Sequence, residues 1–399
     1  MPDLLDVTES VAVFNAGSTS LKFGLYGLDA TGRLPLICRG SLDGLRASPV
    51  FSARDGEGKA LASRQWEKGR AIDHSEAMAF IIDWLKPHLA ATPLAAVGHR
   101  ILLGGARYQR SAKIDRDVLD YLDSLAAIEP SHQAIDVKGA RAMGEIFPSL
   151  PQVACFDNAF HATLADAATT YAVPQEVRDM GVRHWGFHGL SYDYVSRRIA
   201  ELAPKARRVI AAHLGGGASM CAMLNGRSID TTMGMGALSG LPMATRSGDV
   251  PPEVLLYLLR AKGFDGASLE RMLYERSGLL GLSGLSGDMT DLESSGDPNA
   301  AAAIAHFVYA ITKYAGAHVA VLEGLDAVVF TGGVGEHSAR VRAAVCDKLG
   351  WLGVELDADA NRSNSTRIST PRSKVSVWVV PTDEEVTIAR QTAVLLASV

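Results

Sequence analysis

The sequence predicts an α/β protein built from two similar halves, and three glycine-rich turns carry that expectation. First, the apolar run Val11-Ala12-Val13-Phe14 breaks at Asn15-Ala16-Gly17-Ser18-Thr19-Ser20 and resumes as Leu21-Lys22-Phe23-Gly24-Leu25-Tyr26. Strand, small polar turn, strand is a backbone form that offers N–H and hydroxyl donors to an anion, although an ordinary hairpin reads the same way. Second, residues 209–214 run into Gly215-Gly216-Gly217-Ala218-Ser219, resume as Met220-Cys221-Ala222-Met223-Leu224 and turn again at Asn225-Gly226. Recurrence of one pattern so far down the chain suggests a duplicated architecture. Third, Ala327-Val328-Val329-Phe330 leads through Thr331-Gly332-Gly333-Val334-Gly335-Glu336-His337 into a helical pattern over 338–349. Strand, glycine turn, helix brings a nucleotide against bare backbone. No Gly-Lys-Ser/Thr closes this turn, so it is not a Walker A loop. The first strand also lacks the glycine fingerprint of a dinucleotide fold, which argues against an oxidoreductase.

The remaining elements follow in order. Strands fill the chain to about residue 61, with turns at Asp29-Ala30-Thr31-Gly32 and Asp55-Gly56-Glu57-Gly58. A helix over 75–89 is capped by Asp73 or Ser75, and a strand over 95–99 and helices over 115–126 and 131–147 come next. Pro148 and Pro151 precede a strand over 152–156, where the domain crossing is expected. This gives a first domain of residues 1–152, completed by the terminal helix 383–399, and a second of 153–382. The second half reads as helix-like sequence to 168, a loop over 181–189, a helix over 191–202, the second hairpin unit, and helices over 252–262, 268–277 and 298–322. A strand over 375–380 and a helix over 383–397 end it. No low-complexity linker interrupts the chain, so a ligand cleft is expected between the halves.

Composition narrows the function classes. At 399 residues, 47% hydrophobic and 21% charged, the chain suits a globular protein of two or three domains. A net charge of −5 without a basic block argues against nucleic acid as the natural partner. Cys38, Cys155, Cys221 and Cys346 are widely separated with no metal-like spacing, and read as reduced core residues. Asp3, Asp6 and Glu9 stand where a signal peptide would be basic and then apolar. The alanine-rich segment 299–322 contains His306, Lys313 and His318, which makes it a buried helix rather than a membrane span. A cytoplasmic location is the expectation.

Several polar residues lie inside apolar, glycine-rich sequence. Asn15 is a neutral oxygen ligand suited to Mg²⁺, and Lys22 is a point charge. Arg100, ending Gly98-His99-Arg100, and Arg246, in Ala244-Thr245-Arg246-Ser247-Gly248-Asp249, suit bidentate contact with phosphate or carboxylate; a structural salt bridge is the alternative for each. Asp157 ends a strand as a functional carboxylate or a helix cap. His188, between glycines in Trp185-Gly186-Phe187-His188-Gly189, suits a desolvated donor to developing negative charge, or simply packs. His132 and His213 are further candidates. The acidic run Asp383-Glu384-Glu385 opens the last helix, where such residues ordinarily offset the macrodipole.

Together these segments resemble the acetate kinase family, the short-chain acyl-phosphate kinases of the sugar-kinase/chaperone/actin superfamily. Asn15-Ala16-Gly17-Ser18-Thr19-Ser20-Leu21-Lys22 looks like one family signature. Ser228-Ile229-Asp230-Thr231-Thr232-Met233-Gly234 with Thr245-Arg246-Ser247-Gly248-Asp249 looks like the other. The resemblance implies two ribonuclease-H-like domains, each a mixed five-stranded sheet flanked by helices, with the active site in the interdomain cleft. It implies reversible transfer of the ATP γ-phosphoryl group to a small carboxylate, giving an acyl phosphate and ADP, with Mg²⁺ (or Mn²⁺) and a homodimeric protein. Asn15 and Glu384 would hold the metal, and Ser18, Ser20 and Lys22 would lie at the phosphates. Arg100 would bind the substrate carboxylate, Arg246 and His188 would stabilise the phosphoryl in flight, and Asp157 would take an acid/base or orienting position. ATP would meet His213, Leu214, Gly215, Gly216 and Gly217, then Asp288, Met289 and Thr290, then Gly333, Val334, Gly335, Glu336 and His337. Leu102, Ser131, His132, Phe187 and Ala237 would line the acyl pocket. A carboxylate nucleophile is already ionised at neutral pH, which favours Asp157 as an orienter over a base.

Departures from the family pattern cluster where specificity would be set. Relatives usually have Val-Val-His-Gly-Gly where this chain has Ile101-Leu102-Leu103-Gly104-Gly105, and Pro-Leu-His-Asn-Pro where it has Pro130-Ser131-His132-Gln133-Ala134. Gly216 replaces an asparagine beside the phosphates, and Ala237 replaces a pocket proline. Ser131 and Ala237 would make the pocket roomier or wetter, while Leu102 acts the other way. One methylene of fit is worth about 1–3 kcal/mol, the scale that separates acetate from propionate or butyrate. An ATP-dependent clamp, the function of chaperone and actin relatives, would need neither Arg100 nor His188.

Overall fold

A long apolar run is buried on both faces only in the middle of a sheet, and β1 (Val7–Ala16) occupies that place in the first of two units. The computed structural model describes residues 7–397 apart from 18, 30, 130 and 131. The expected site residues Ser18 and Ser131 therefore lie outside the described residues. One compact unit comprises residues 1–159 with 383–399, and the other residues 160–382.

In the first unit β2 (Ser20–Asp29), β3 (Leu36–Asp43), β4 (Val50–Asp55) and β5 (Ala60–Gln65) extend β1 antiparallel on one side. On the other side β6 (Leu94–Ile101) and β8 (Gln152–Phe156) run parallel, and β7 (Ala112–Lys113) closes the edge. The sheet thus has eight strands, not the expected five, because β4, β5 and β7 extend the central set β3-β2-β1-β6-β8. The division falls after Ala159 rather than after Gln152, since β8 pairs with β6 along its length.

Helices cover both faces. The helix His74–Ala91, capped by the Asp73 carboxylate accepting from Glu76 N at 2.8 Å, lays Ala77, Met78, Ile81, Ile82 and Leu85 on Ala12, Phe14, Phe23 and Leu25. Side chains alternate along a strand, so Gly98, opposite Val13 in the β1/β6 pair, meets the C-terminal helix Glu384–Ala397. A Cβ there would stand 2.3 Å from Thr392 Oγ1 and 2.7 Å from Ile388 Cγ2. The missing side chain is what lets that helix lie against the sheet.

The second unit repeats the plan with β9 (Arg208–Leu214), β10 (Ala218–Leu224), β11 (Arg227–Thr231), β12 (Ala327–Thr331) and β13 (Ser376–Val379) in the order β11-β10-β9-β12-β13. As in the central set of the first unit, the hairpin strands are antiparallel and the last two parallel. Tyr192, Val195 and Ile199 of the helix Gly189–Leu202 pack on Val209, Ala211, Cys221 and Val329. The helix Pro298–Leu322 buries Ala300, Ala303, Ile304, Phe307, Val308, Ile311 and Ala315, an i, i+3, i+4 stripe. Among the described residues no helix is long and apolar enough to cross a membrane. All four cysteines are buried and unpaired.

Two local expectations change. The glycine turn after β12 is itself a helical turn, Gly332–His337, and Ser338 then caps a separate helix, Ala339–Lys348, accepting from Val341 N at 3.0 Å. The helix-like sequence before residue 168 resolves into a 3-10 turn, Ala159–Thr163, and the short helix Asp166–Thr169.

Gly98→Ala should lower the folding free energy by about 1–3 kcal/mol through overpacking, read as a lower urea midpoint. Adding Thr392→Ala should recover part of the loss, and an unchanged midpoint in Gly98→Ala would contradict the close approach.

Candidate active site

In the first unit the functional groups gather at the end of β1 and of its parallel neighbours. The β1–β2 turn is held by Gly17 N donating to Ser20 O at 2.8 Å, and Nε2 of His74 bonds Gly17 O at 2.7 Å. Asn15 and Lys22 face each other across the β1/β2 pair, which puts both side chains on one face. The Asn15 amide donates to Glu384 Oε2 at 2.9 Å and Glu385 Oε1 at 3.0 Å, the first residues of the C-terminal helix. Its donors are engaged there, which leaves the amide oxygen for a cation. Burial and the neighbouring Glu384 and Asp383 raise the Glu385 carboxyl above its usual pKa, with Lys22 opposing them.

Arg100, at the end of β6, is nearly buried. Its Nη2 donates to Asp157 Oδ2 at 2.9 Å and its Nη1 to Ala16 O at 3.2 Å, while Asp136 Oδ2 lies 4.0 Å away. Burial opposes the guanidinium charge, but Asp157, Asp136 and Glu384 outweigh it and hold the pKa above the ordinary arginine value. Asp157 is therefore a partner of Arg100. Leu102, Leu103 and Gly104 are fixed through their N–H groups by Asp136 Oδ2 (2.8 Å), Gln133 Oε1 (3.0 Å) and Asn158 Oδ1 (2.9 Å). Sequence reading missed these three side chains. Their only signal was polar residues on otherwise apolar faces, which many surface helices share. His132 precedes the helix Gln133–Ile146 with Nδ1 at 3.5 Å from Glu129 Oε1.

In the second unit the three expected nucleotide segments come together. Gly215 N bonds Gly217 O at 2.9 Å, and Ala244 N bonds Gly216 O at 3.2 Å. A Cβ on Gly215 would stand 3.7 Å from Gly333 N, and one on Gly287, just before Asp288, 2.6 Å from Ala244 O. Only glycine fits where Gly332, at φ +75°, approaches Leu214 O. A Cβ on Gly217 would lie 3.2 Å from both Arg246 Nη2 and His188 Nε2. Arg246 is anchored by Nη1 donating to Ala237 O at 2.6 Å. His188 has φ 58°, uncommon for a side chain other than glycine. Its Nδ1 is 2.8 Å from Ser219 Oγ, and its ring stacks on His213 with centroids 4.2 Å apart. Nδ1 of His213 is held by Ser191 Oγ at 2.9 Å. Phe187 is buried, and its carbonyl is bonded by Nε2 of His161 at 2.9 Å.

Some expected nucleotide contacts have structural occupations. The Glu336 carboxylate accepts from Gly332 N at 2.9 Å and Thr382 N at 3.1 Å. Asp288 caps the helix Met289–Ser294, accepting from Thr290 N at 2.7 Å, and Met289 is buried. Among the described residues no group of three or more His, Cys, Asp or Glu is arranged to hold a metal. Mg²⁺ keeps several waters and uses one or two carboxylates beside substrate phosphates, and Asn15 with Glu384 offers one neutral amide and one carboxylate side by side.

In the second unit an imidazole and a guanidinium stand at a bare glycine turn, and in the first a buried arginine is paired with carboxylates. A family model described as the acetokinase family matches residues 10–390. The acetate kinase of Rhodopseudomonas palustris is 45% identical over 390 residues, covering 96% of this chain and 98% of its own. A propionate kinase crystal structure from Francisella tularensis aligns with TM-score 0.87 at 32% identity, covering 96% of this chain and 98% of its own. The Porphyromonas gingivalis acetate kinase structure gives 0.84 at 34%, covering 97% and 100%. The chain belongs to the acetokinase family and is a phosphotransferase whose acceptor is a carboxyl group.

Glu336→Ala should destabilise the protein by about 2–3 kcal/mol through the loss of two charge-assisted acceptor contacts, whereas Glu336→Gln keeps an acceptor and most of the stability. Thermal midpoints of the two variants check this, and equal losses would contradict the assignment.

Proposed function

We propose that the protein transfers the γ-phosphoryl group of ATP to acetate, reversibly and with Mg²⁺ (Mn²⁺ as the alternative ion), giving acetyl phosphate and ADP. The observation that carries this reading is the convergence of His188 Nε2 and Arg246 Nη2 on Gly217. Phosphoryl transfer spreads charge over the equatorial oxygens of the moving group, so catalysis is mainly positioning and charge stabilisation. His188 and Arg246 donate to those oxygens, while the backbone of Gly215, Gly216, Gly217 and Gly333 faces the remaining phosphates. Lys22 adds charge beside Asn15. Arg100 binds the acetate carboxylate, and Asp157 fixes the orientation of Arg100. An acetate oxygen attacks the γ-phosphorus as the bond to the ADP oxygen breaks, and no proton has to be removed first. Asn15 and Glu384 would hold Mg²⁺, which when bound neutralises part of the phosphate charge.

A kinase for propionate or butyrate is the second reading, favoured by the small Ala237 and by the likeness to the Francisella propionate kinase. The four buried thiols suit a reducing compartment and support a cytoplasmic location. A homodimer belongs to the same reading. A ten-residue helix needs tertiary packing, yet Pro252–Ala261 buries none of its residues and exposes Val254, Leu256, Tyr257 and Leu259.

Purified protein with ATP, Mg²⁺ and acetate should yield acetyl phosphate trapped as hydroxamate. No product from acetate, propionate or butyrate would refute the proposal. Arg246→Ala should lower kcat by about 10³-fold or more and His188→Ala by about 10²–10³-fold, while Arg100→Ala should chiefly raise KM for the acid. Full turnover in both Arg246→Ala and His188→Ala would favour the ATP-dependent clamp.

A further inference from the structure

Asp136 is a buried carboxyl beside the substrate arginine, and only one of its oxygens is engaged. It sits in the first turn of the helix Gln133–Ile146, with Oδ2 accepting from Leu102 N at 2.8 Å and lying 4.0 Å from Arg100 Nη1. Oδ1 is buried with no hydrogen-bond partner among the described residues. Asp136, Arg100, His74, His99, Phe14 and Met78 line a cavity of about 10 Å³. That is room for about one water, too little to hydrate a carboxylate.

The charged and titratable groups around Asp136 come from each element packed there. Arg100 and His99 come from β6, His74 from the helix His74–Ala91, and Asp157 from the end of β8. Burial lowers the His99 pKa to about 4, so its imidazole is neutral at physiological pH. The His74 ring is engaged with Gly17 O. One guanidinium therefore faces the Asp157 and Asp136 carboxyl groups, with Glu384 beyond them, before any substrate arrives, and the substrate brings a further one. Burial raises the Asp136 carboxyl to about 7, with Arg100 opposing the rise.

We propose that Asp136 is a positioning residue that must be neutral for Arg100 to accept the substrate carboxylate, so that protonation of Asp136 couples acid binding to pH. The inference rests on the acyl-phosphate kinase reading above. Ionised Asp136 competes for Arg100 and repels the incoming carboxylate, while neutral Asp136 keeps its bond to Leu102 N and leaves the guanidinium charge to Asp157 and the substrate. Asp136 does not touch the moving phosphoryl group, so the effect falls on KM for the acid rather than on kcat.

The test is initial-rate kinetics from pH 6 to 8.5, a range over which acetate itself stays ionised. In the wild type KM for acetate should rise about tenfold, the effect of a like charge a few ångström away, while kcat and KM for ATP change much less. Asp136→Asn retains an acceptor for Leu102 N and should make KM for acetate constant over the same range. A flat wild-type profile, the wild-type rise persisting in Asp136→Asn, or an equal rise in KM for ATP would overturn the inference. Absence of turnover at every pH would instead refute the kinase reading. Folding gives an independent readout. The folded carboxyl keeps its proton up to about pH 7 and the unfolded one releases it near 3.8. Raising the pH through that window therefore destabilises the wild type relative to Asp136→Asn, with no further change above it. A thermal-midpoint difference independent of pH would also count against the inference.

Discussion

A guanidinium buried at the end of a strand must be neutralised by its surroundings, and the first unit is arranged around that requirement. An uncompensated buried arginine would cost several kcal/mol, and three separate elements answer it. The Arg100 guanidinium is met by Asp157 from the end of β8 and the Ala16 carbonyl from β1, with the Asp136 carboxyl of the helix Gln133–Ile146 at 4.0 Å. The arrangement fixes the Arg100 fork in one orientation, which a bidentate carboxylate site needs. The same parallel neighbours bring Asn15 to the start of the C-terminal helix, where it meets Glu384 and Glu385.

The second unit solves a different problem, holding two imidazoles beside a bare glycine turn without burying a fixed charge pair. His188 and His213 are each anchored at Nδ1 by a hydroxyl, Ser219 and Ser191, and stack on each other. The strained backbone of His188 is over-determined by its neighbours, since Nε2 of His161 bonds the Phe187 carbonyl and Tyr192 N bonds the His188 carbonyl. Glycine at position 217 leaves the space into which the tips of His188 and Arg246 point.

The two units use one topology for these different ends. In each, a hairpin turn follows the central strand, and the neighbouring parallel strand ends beside it in a functional element. For β1 and β6 these are the turn at Gly17 and the side chain of Arg100. For β9 and β12 they are the turn at Gly215 to Gly217 and the backbone at Gly332. The end of the first unit's central strands is lined by charged side chains, and that of the second by bare glycine backbone.

Continuous apolar runs broken by glycine determined the central strands, and the sequence placed β8 and the helix Pro298–Leu322 at their observed bounds because their patterns are strong and local. The glycine turns, both arginines and His188 were legible because each is an anomaly in its own neighbourhood: a charge or a bare backbone where periodicity calls for an apolar side chain. The edge strands β4, β5 and β7 changed the expected five-stranded sheet because short polar strands depend on their neighbours rather than on their own residues. Glu336 and Asp288 looked like ligand groups, yet Asp288 caps its own helix and Glu336 accepts from Gly332 N and from the distant Thr382 N. Asp136 was invisible for the opposite reason, as an ordinary acidic residue in a helix whose first turn happens to be buried against Arg100. The sequence by itself determined which segments form the core and which turns approach a ligand, since those depend on local pattern. Only the tertiary structure decided which charges neighbour one another, because burial and pairing arise between residues far apart in the chain.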